Sequence, residues 1–222
     1  MVYSWLPVSR QLNLVDGGPL SLPVEYEEQV AALWRQSCER DPTLFDGRLM
    51  MVAESRGGTM ILHEARYRHY LAGRVDPALG RAMGLRALGV SGVLSCPDGL
   101  VFGRRAQVAD HRGMWELVPS GGAESANLKE QILKELEEEI GLGVEQAMAG
   151  DPLGLVEGDG LIDAVLPLST SLRAAEIEEI HAERGSDEYD RLYVTMAPEE
   201  FLAACGDMVM ALTRLLVKEI AQ

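Results

Sequence analysis

Hydrophobic and polar positions change period several times along the chain, and each change marks an element. Through residues 1–22 apolar side chains alternate with polar ones among prolines and glycines, which predicts an extended arm or short strands. Residues 25–41 switch to helical spacing, with Val30, Leu33, Trp34 and Cys38 on one face; Asp41-Pro42 ends the run. Two short apolar runs, 48–54 and 59–63, flank the sequence SRGG and predict a hairpin. A short helix is expected over 67–71, and 73–80 reads as a connector.

The texture changes after Arg86. Residues 87–95 and 100–105 are β-like runs joined by CPDG, a strong turn signal. A loop over 106–113 leads to a third run, 114–118, and then to the glycine turn PSGG at 119–122. A helix follows over 127–140, with Asn127 and Glu130 spaced as a capping box and Gly141 as its stop. Strands are expected at 153–157, 161–168 and 191–196, and helices at 171–183, from Pro198, and over 208–220. The order predicts an α+β fold, a mixed sheet with helices on both sides.

Composition narrows the partners. A chain of 222 residues that is 47% hydrophobic supports one medium domain, or one with an extension. A net charge of −15 argues against nucleic acid, whose partners carry basic stripes. An anionic small molecule can still bind where a divalent cation offsets the local field. Cys38, Cys96 and Cys205 have no metal spacing and read as free thiols of a reducing compartment. The N-terminus lacks the signal-peptide pattern, and no apolar run approaches the ~18 residues of a membrane helix. The expected location is the cytoplasm, away from membranes.

The sequence LKELEEEIGL at 133–142 then asks why a helix crowds its glutamates. On a helical wheel Ile132, Leu133, Leu136 and Ile140 form a core stripe, and Glu135, Glu138 and Glu139 gather beside it. Glu130 and Glu137 fall on the solvent side. Carboxylates converging on a rigid helix make a hard oxygen site suited to Mg²⁺ or Mn²⁺. Gly121 and Gly122 just upstream let backbone approach the same cation or a phosphate. Arg104 and Arg105, at a strand end, offer guanidinium geometry for a substrate phosphate. Glu188 precedes a strand on a loop and is a candidate general base, with Glu157 and His181 as rivals. His63, His69 and His111 lack ligand spacing.

Residues 115–142 resemble the Nudix box. The second half of that motif is matched by Lys134, Glu135, Leu136, Glu137, Glu138, Glu139, Ile140, Gly141 and Leu142, with Lys134 standing where the family has Arg. The first half departs: the stretch from Gly122 to the helix is shorter than the family pattern, and Ala126 occupies its glutamate slot, with Glu124 the nearest acid. The segments LFDGRLMMV, ILHEARYRHYLAG and SDEYDRLYV are similar in order to a UDP-sugar branch of the family.

The resemblance implies a Nudix-type α/β/α sandwich over 84–222 behind a β-containing extension over 1–83. It implies Mg²⁺- or Mn²⁺-dependent hydrolysis of a nucleoside diphosphate derivative, a UDP-sugar first, with Glu135, Glu138 and Glu139 as metal ligands. A homodimer is a further assembly it allows. The alternative is a decayed box that senses nucleotide without cleaving it. Isoprenoid diphosphate isomerisation would need a cysteine and histidines that are not in place.

Overall fold

A computed structural model of the chain describes residues 3–8, 12–56, 58–106, 111–158 and 160–220. The middle of the loop expected over 106–113, and parts of the expected arm and of the SRGG turn, lie outside them. Among the described residues, twelve strands join one mixed sheet, and helices cover both of its faces.

The sheet is organised by β5 (Arg86–Cys96), whose residues from Ala87 to Leu94 are all buried. A strand wet on neither face needs apolar side chains on both. One flank of β5 pairs in parallel with β11 (Leu161–Ser169) along nearly its whole length. Three strands share the other flank. They are β3 (Arg48–Arg56) at Ala87, β8 (Ser120–Gly122) at Gly89 to Ser91, and β6 (Gly99–Arg105) at Ser95 and Cys96. β6 then leaves β5 to pair with β7 (Trp115–Leu117) and β12 (Tyr189–Thr195). That divergence opens the place where the candidate site forms.

Alternation along β5 assigns the two faces. Leu88, Val90 and Leu94 enter the larger core beneath α4 (Leu128–Ile140) and α5 (Ala174–Arg184), with Ile132, Leu136, Ile140 and Ile177. Val93 faces the other way, into a core with Phe102, Trp115, Leu202 and Leu216 that is closed by α6 (Pro198–Cys205) and α7 (Ala211–Ile220). Ala87 packs with Leu49, Met51 and Ala65 in a third cluster.

Residues 1–83 supply β1 (Ser4–Pro7), which pairs with β10 (Gly154–Gly158), and β2 (Asn13–Pro19), which pairs with β4 (Thr59–Arg66). They also supply α1 (Val24–Arg40) and a small helical unit that corrects one expectation. The segment 73–80 is not a connector: α2 (Tyr67–Val75) and α3 (Pro77–Met83) occupy it. Asp76 caps α3 by accepting from Ala78 N at 2.9 Å and Leu79 N at 3.1 Å, Pro77 fits the first turn, and Gly84 at φ 65° ends the helix. The glycines that suggested a linker instead let the helices touch, since a Cβ at Gly80 would lie 2.9 Å from Gly73 O. The PSGG segment is likewise more than a turn, because its last three residues form β8. A short strand, β9 (Met148–Ala149), was not expected; it pairs with the end of β11.

Candidate functional site

The α4 helix forms for the reasons its sequence gives. Asn127 Oδ1 accepts from Glu130 N, Gly141 at φ 87° provides the left-handed stop, and the stripe from Leu128 to Ile140 is buried. Glu130 and Glu137 point to solvent, as their wheel positions predict. The other three glutamates have different fates. Glu139 is only 4% exposed, Glu135 is half-buried, and Glu138 is exposed with its Oε1 3.6 Å from Lys134 Nζ. Lys134 also holds Glu124 at 3.0 Å.

Glu139 is fixed by long-range partners. The Ser120 N–H donates to its carboxylate at 3.2 Å, and the Tyr189 hydroxyl lies 3.2 Å from Oε2. The same hydroxyl lies 3.0 Å from Glu116 Oε1. One O–H cannot serve two acceptors at once, so a protonated Glu139 would supply the second hydrogen bond. Burial pushes Glu139 well above the usual carboxylate range, with the charges of Glu188, Glu116 and Glu135 adding to it and the Ser120 N–H opposing. The Tyr189 phenol is held protonated by burial and by Glu116 and Glu139.

Strand alternation sends Arg104 and Arg105 to opposite faces. Arg105 turns toward α4 and bridges two acids, with Glu116 Oε1 at 2.6 Å and Glu188 Oε1 at 3.2 Å; its side chain is 15% exposed. Desolvation works against its charge, and Glu116 and Glu188 outweigh it, so the guanidinium is held still more firmly protonated. Glu188 is raised by burial, with Arg105 pulling it back. Arg104 faces the other core, bound to Asp190 Oδ1 at 2.7 Å and lying over Trp115.

The glycine strand completes the arrangement. Gly121 pairs with Val90 and Gly122 with Gly89, and Gly122 is exposed. Gly121 is a glycine for space and not for φ. A Cβ there would lie 2.5 Å from Glu135 Oε2 and 2.6 Å from Oε1. Glu135 also accepts from Gln131 Nε2 at 2.7 Å, and burial raises its pKa. Gly121→Ala should therefore displace the Glu135 carboxylate by about 1 Å and lower kcat/KM about 100-fold, with little change in melting temperature. Steady-state kinetics and a melt on the same sample check this.

The structure thus brings Glu135, Glu139, Glu188, Arg105 and Gly121 together, with Gly122 beside them. Glu138 and Arg104 point elsewhere. The rivals for general base lie apart: Glu157 pairs with Arg86 at 2.9 Å, and His181 Nε2 sits 3.1 Å from Tyr189 O. Sequence reasoning missed Glu116, Tyr189 and Gln131. Glu116 carried a readable signal, since an acid between Trp115 and Leu117 in an apolar strand demands a buried partner.

Asp163 on β11 is a separate case. It pairs opposite Gly89, and its carboxyl fills the space a Cβ there would need. Burial, with Glu116 adding, raises its pKa to about 7. An acid raised in the fold stabilises fully below its unfolded pKa, and that contribution is lost as pH climbs through the folded value. The window is from about 4 to 7. Asp163→Asn should flatten that part of the stability profile and be more stable than the parent at pH 8, by up to about 4 kcal/mol. Denaturant melts at pH 4 and pH 8 measure it.

Among the described residues, no three His, Cys, Asp or Glu side chains stand close enough to hold a metal ion as they are arranged, and no helix is long and apolar enough to cross a membrane. No family model and no curated protein matches the chain. Among solved structures, it is similar to a MutT protein from Methanosarcina mazei Go1, at 19% identity and TM-score 0.42, over 56% of this chain and 84% of that one. It is also similar to a NUDIX hydrolase from Nitrosomonas europaea, at 12% identity and TM-score 0.45, over 61% and 88%. A bifunctional NMN adenylyltransferase/ADP ribose pyrophosphatase from Francisella tularensis is similar at 13% identity and TM-score 0.42, over 89% of this chain and 46% of that one. These likenesses are distant, and they are likenesses of architecture.

Proposed function

We propose that the chain is a Nudix-type pyrophosphohydrolase, dependent on a divalent metal, acting on a nucleoside diphosphate linked to a second moiety, with a UDP-sugar as first candidate. The observation that carries the reading is Arg105 bridging Glu116 and Glu188, with buried Glu139 and half-buried Glu135 near them, beside the glycines of β8. Four neighbouring carboxylates, of which the arginine pairs with two, are a donor set that suits a hard dication. Glu135, Glu138 and Glu139, within one turn of each other on α4, would hold it, and Glu138 would have to leave Lys134 to do so. When bound, Mg²⁺ or Mn²⁺ supplies charge for the diphosphate oxygens and acidity for a coordinated water.

The protein's own groups divide the remaining work. Gly121 makes room for the Glu135 carboxylate against β8, and exposed Gly122 allows the diphosphate to approach the backbone beside it. Arg105 faces the charge that develops on the phosphoryl oxygens, and Glu116 holds it in place. Glu188, with a pKa raised by burial, accepts the proton of the attacking water. The half-buried position of Glu135 and the burial of Glu139 keep bulk water from competing.

One observation favours a second reading, a nucleotide sensor. Glu138 is engaged by Lys134, and Glu116 and Glu188 by Arg105, so the acids are partly compensated without any ion. UDP-sugars, dinucleoside polyphosphates and nucleoside triphosphates, incubated with Mg²⁺ or Mn²⁺ and followed by phosphorus NMR, separate the two. Release of a nucleoside monophosphate supports hydrolysis. Thermal protection by a panel member without any cleavage supports sensing.

A further inference from the structure

We propose that the cavity between α2, α3 and the start of β5 is a second site, one that binds a nucleoside phosphate without metal and apart from the carboxylate group. The cavity has a volume of about 480 Å³. That lies within the roughly 300–1,000 Å³ of ordinary small-molecule sites. Its walls include Tyr70, Arg74, Arg81 and Arg86, over a floor with Met51 and Met83. None of the described residues lining it is acidic, in a chain with 35 acids against 20 Lys and Arg. Chance distribution of this composition would give an acidic lining, so the concentration of arginine calls for an anion.

The helices are built to hold those arginines. Gly73 and Gly80 meet backbone to backbone, and Arg74 and Arg81 each follow one of these glycines. The tight crossing therefore sets both arginines in the lining of one cavity. Arg74 lies over the Tyr70 ring, 5.9 Å from its centroid, so the cavity wall carries a guanidinium backed by an aromatic, a pairing suited to a phosphate with an adjoining base. Arg86 is shared with Glu157, whereas Arg81 makes no ion pair among the described residues. Arg81 is exposed and lines the cavity.

The site is distinct from the one described above. Arg86 precedes Gly89 by three positions on β5, about 10 Å along the strand. Met51 and Ala87 beside it pack away from α4. A ligand there does not reach Glu139, so the proposal stands whether or not the chain hydrolyses diphosphates.

Calorimetric titration of UMP and AMP into the full chain in EDTA tests it, with inorganic phosphate as comparator. Binding of at least one nucleotide is expected. Arg81→Glu should weaken it ten-fold or more, and Glu139→Gln should leave it unchanged. Arg81 is exposed, and a melt of Arg81→Glu matching the parent shows the fold is intact. No binding by the parent overturns the proposal, as does equal affinity in Arg81→Glu. Inorganic phosphate binding as tightly as the nucleotides also overturns it, because the ring would then contribute nothing. Loss of binding in Glu139→Gln with retention in Arg81→Glu places the nucleotide at the carboxylates and overturns it too.

Discussion

Glu139→Gln is expected to lower turnover of the best diphosphate substrate about 10³-fold while making the protein harder to unfold above neutral pH. The two effects have one cause. Glu139 is 4% exposed, and burial and its acidic neighbours disfavour its charge. An acid with a raised folded pKa loses its stabilising contribution as pH climbs through that value, so the parent carries a cost in alkali that a neutral amide avoids. Gln keeps the shape and can still accept from Ser120 N. It cannot supply a charged oxygen to a cation. Kinetics at saturating Mg²⁺, together with denaturant melts at pH 8, read both effects. Full turnover in the variant would sink the assignment of Glu139, and a lower melting point at pH 8 would sink the electrostatic account.

Arg105→Ala should have the largest effect on stability. Its guanidinium pairs with both Glu116 and Glu188, in surroundings where the Glu116 side chain is 9% exposed. Removing one partner of a buried pair leaves the other charge stranded, at about 3–5 kcal/mol. The loss should shrink in acid, where Glu188, its pKa raised by burial, takes up a proton. Adding Glu116→Gln to Arg105→Ala should recover part of the loss, since the stranded charge is gone. Urea titration of the four proteins in this double-mutant cycle gives the coupling directly. Additive losses would mean that the 2.6 Å contact contributes nothing.

Local pattern made much of this legible. The apolar run of β5 and the capped, striped α4 emerge at nearly their observed bounds, because burial on both faces and a 3.6-residue period each leave their mark in contiguous sequence. The helix α3 was hidden by the glycines and proline that usually mark a linker, although Asp76, Pro77 and Gly84 spelled a start and a stop. Tertiary contacts were harder. The wheel places Glu135, Glu138 and Glu139 on one side of α4, yet only pairing with β8 and β12 determines that Glu139 is buried against Ser120 and Tyr189 while Glu138 turns to Lys134. Adjacent Arg104 and Arg105 looked equivalent until the strand's alternation separated them. Glu116 owes its place to β7 lying beside β6, a pairing that contiguous residues do not announce.

The early strands β1 and β3 have a protective consequence. The first lies along Gly154–Gly158 and the second meets the beginning of β5, so each occupies backbone donors and acceptors that would otherwise stand open to solvent. A shortened chain starting near residue 84 would present both margins bare, with Leu155 and Ala87 alongside as adhesive, and copies would tend to zip onto one another. The opening third of the polypeptide thereby covers the edge of β10 and part of the edge of β5.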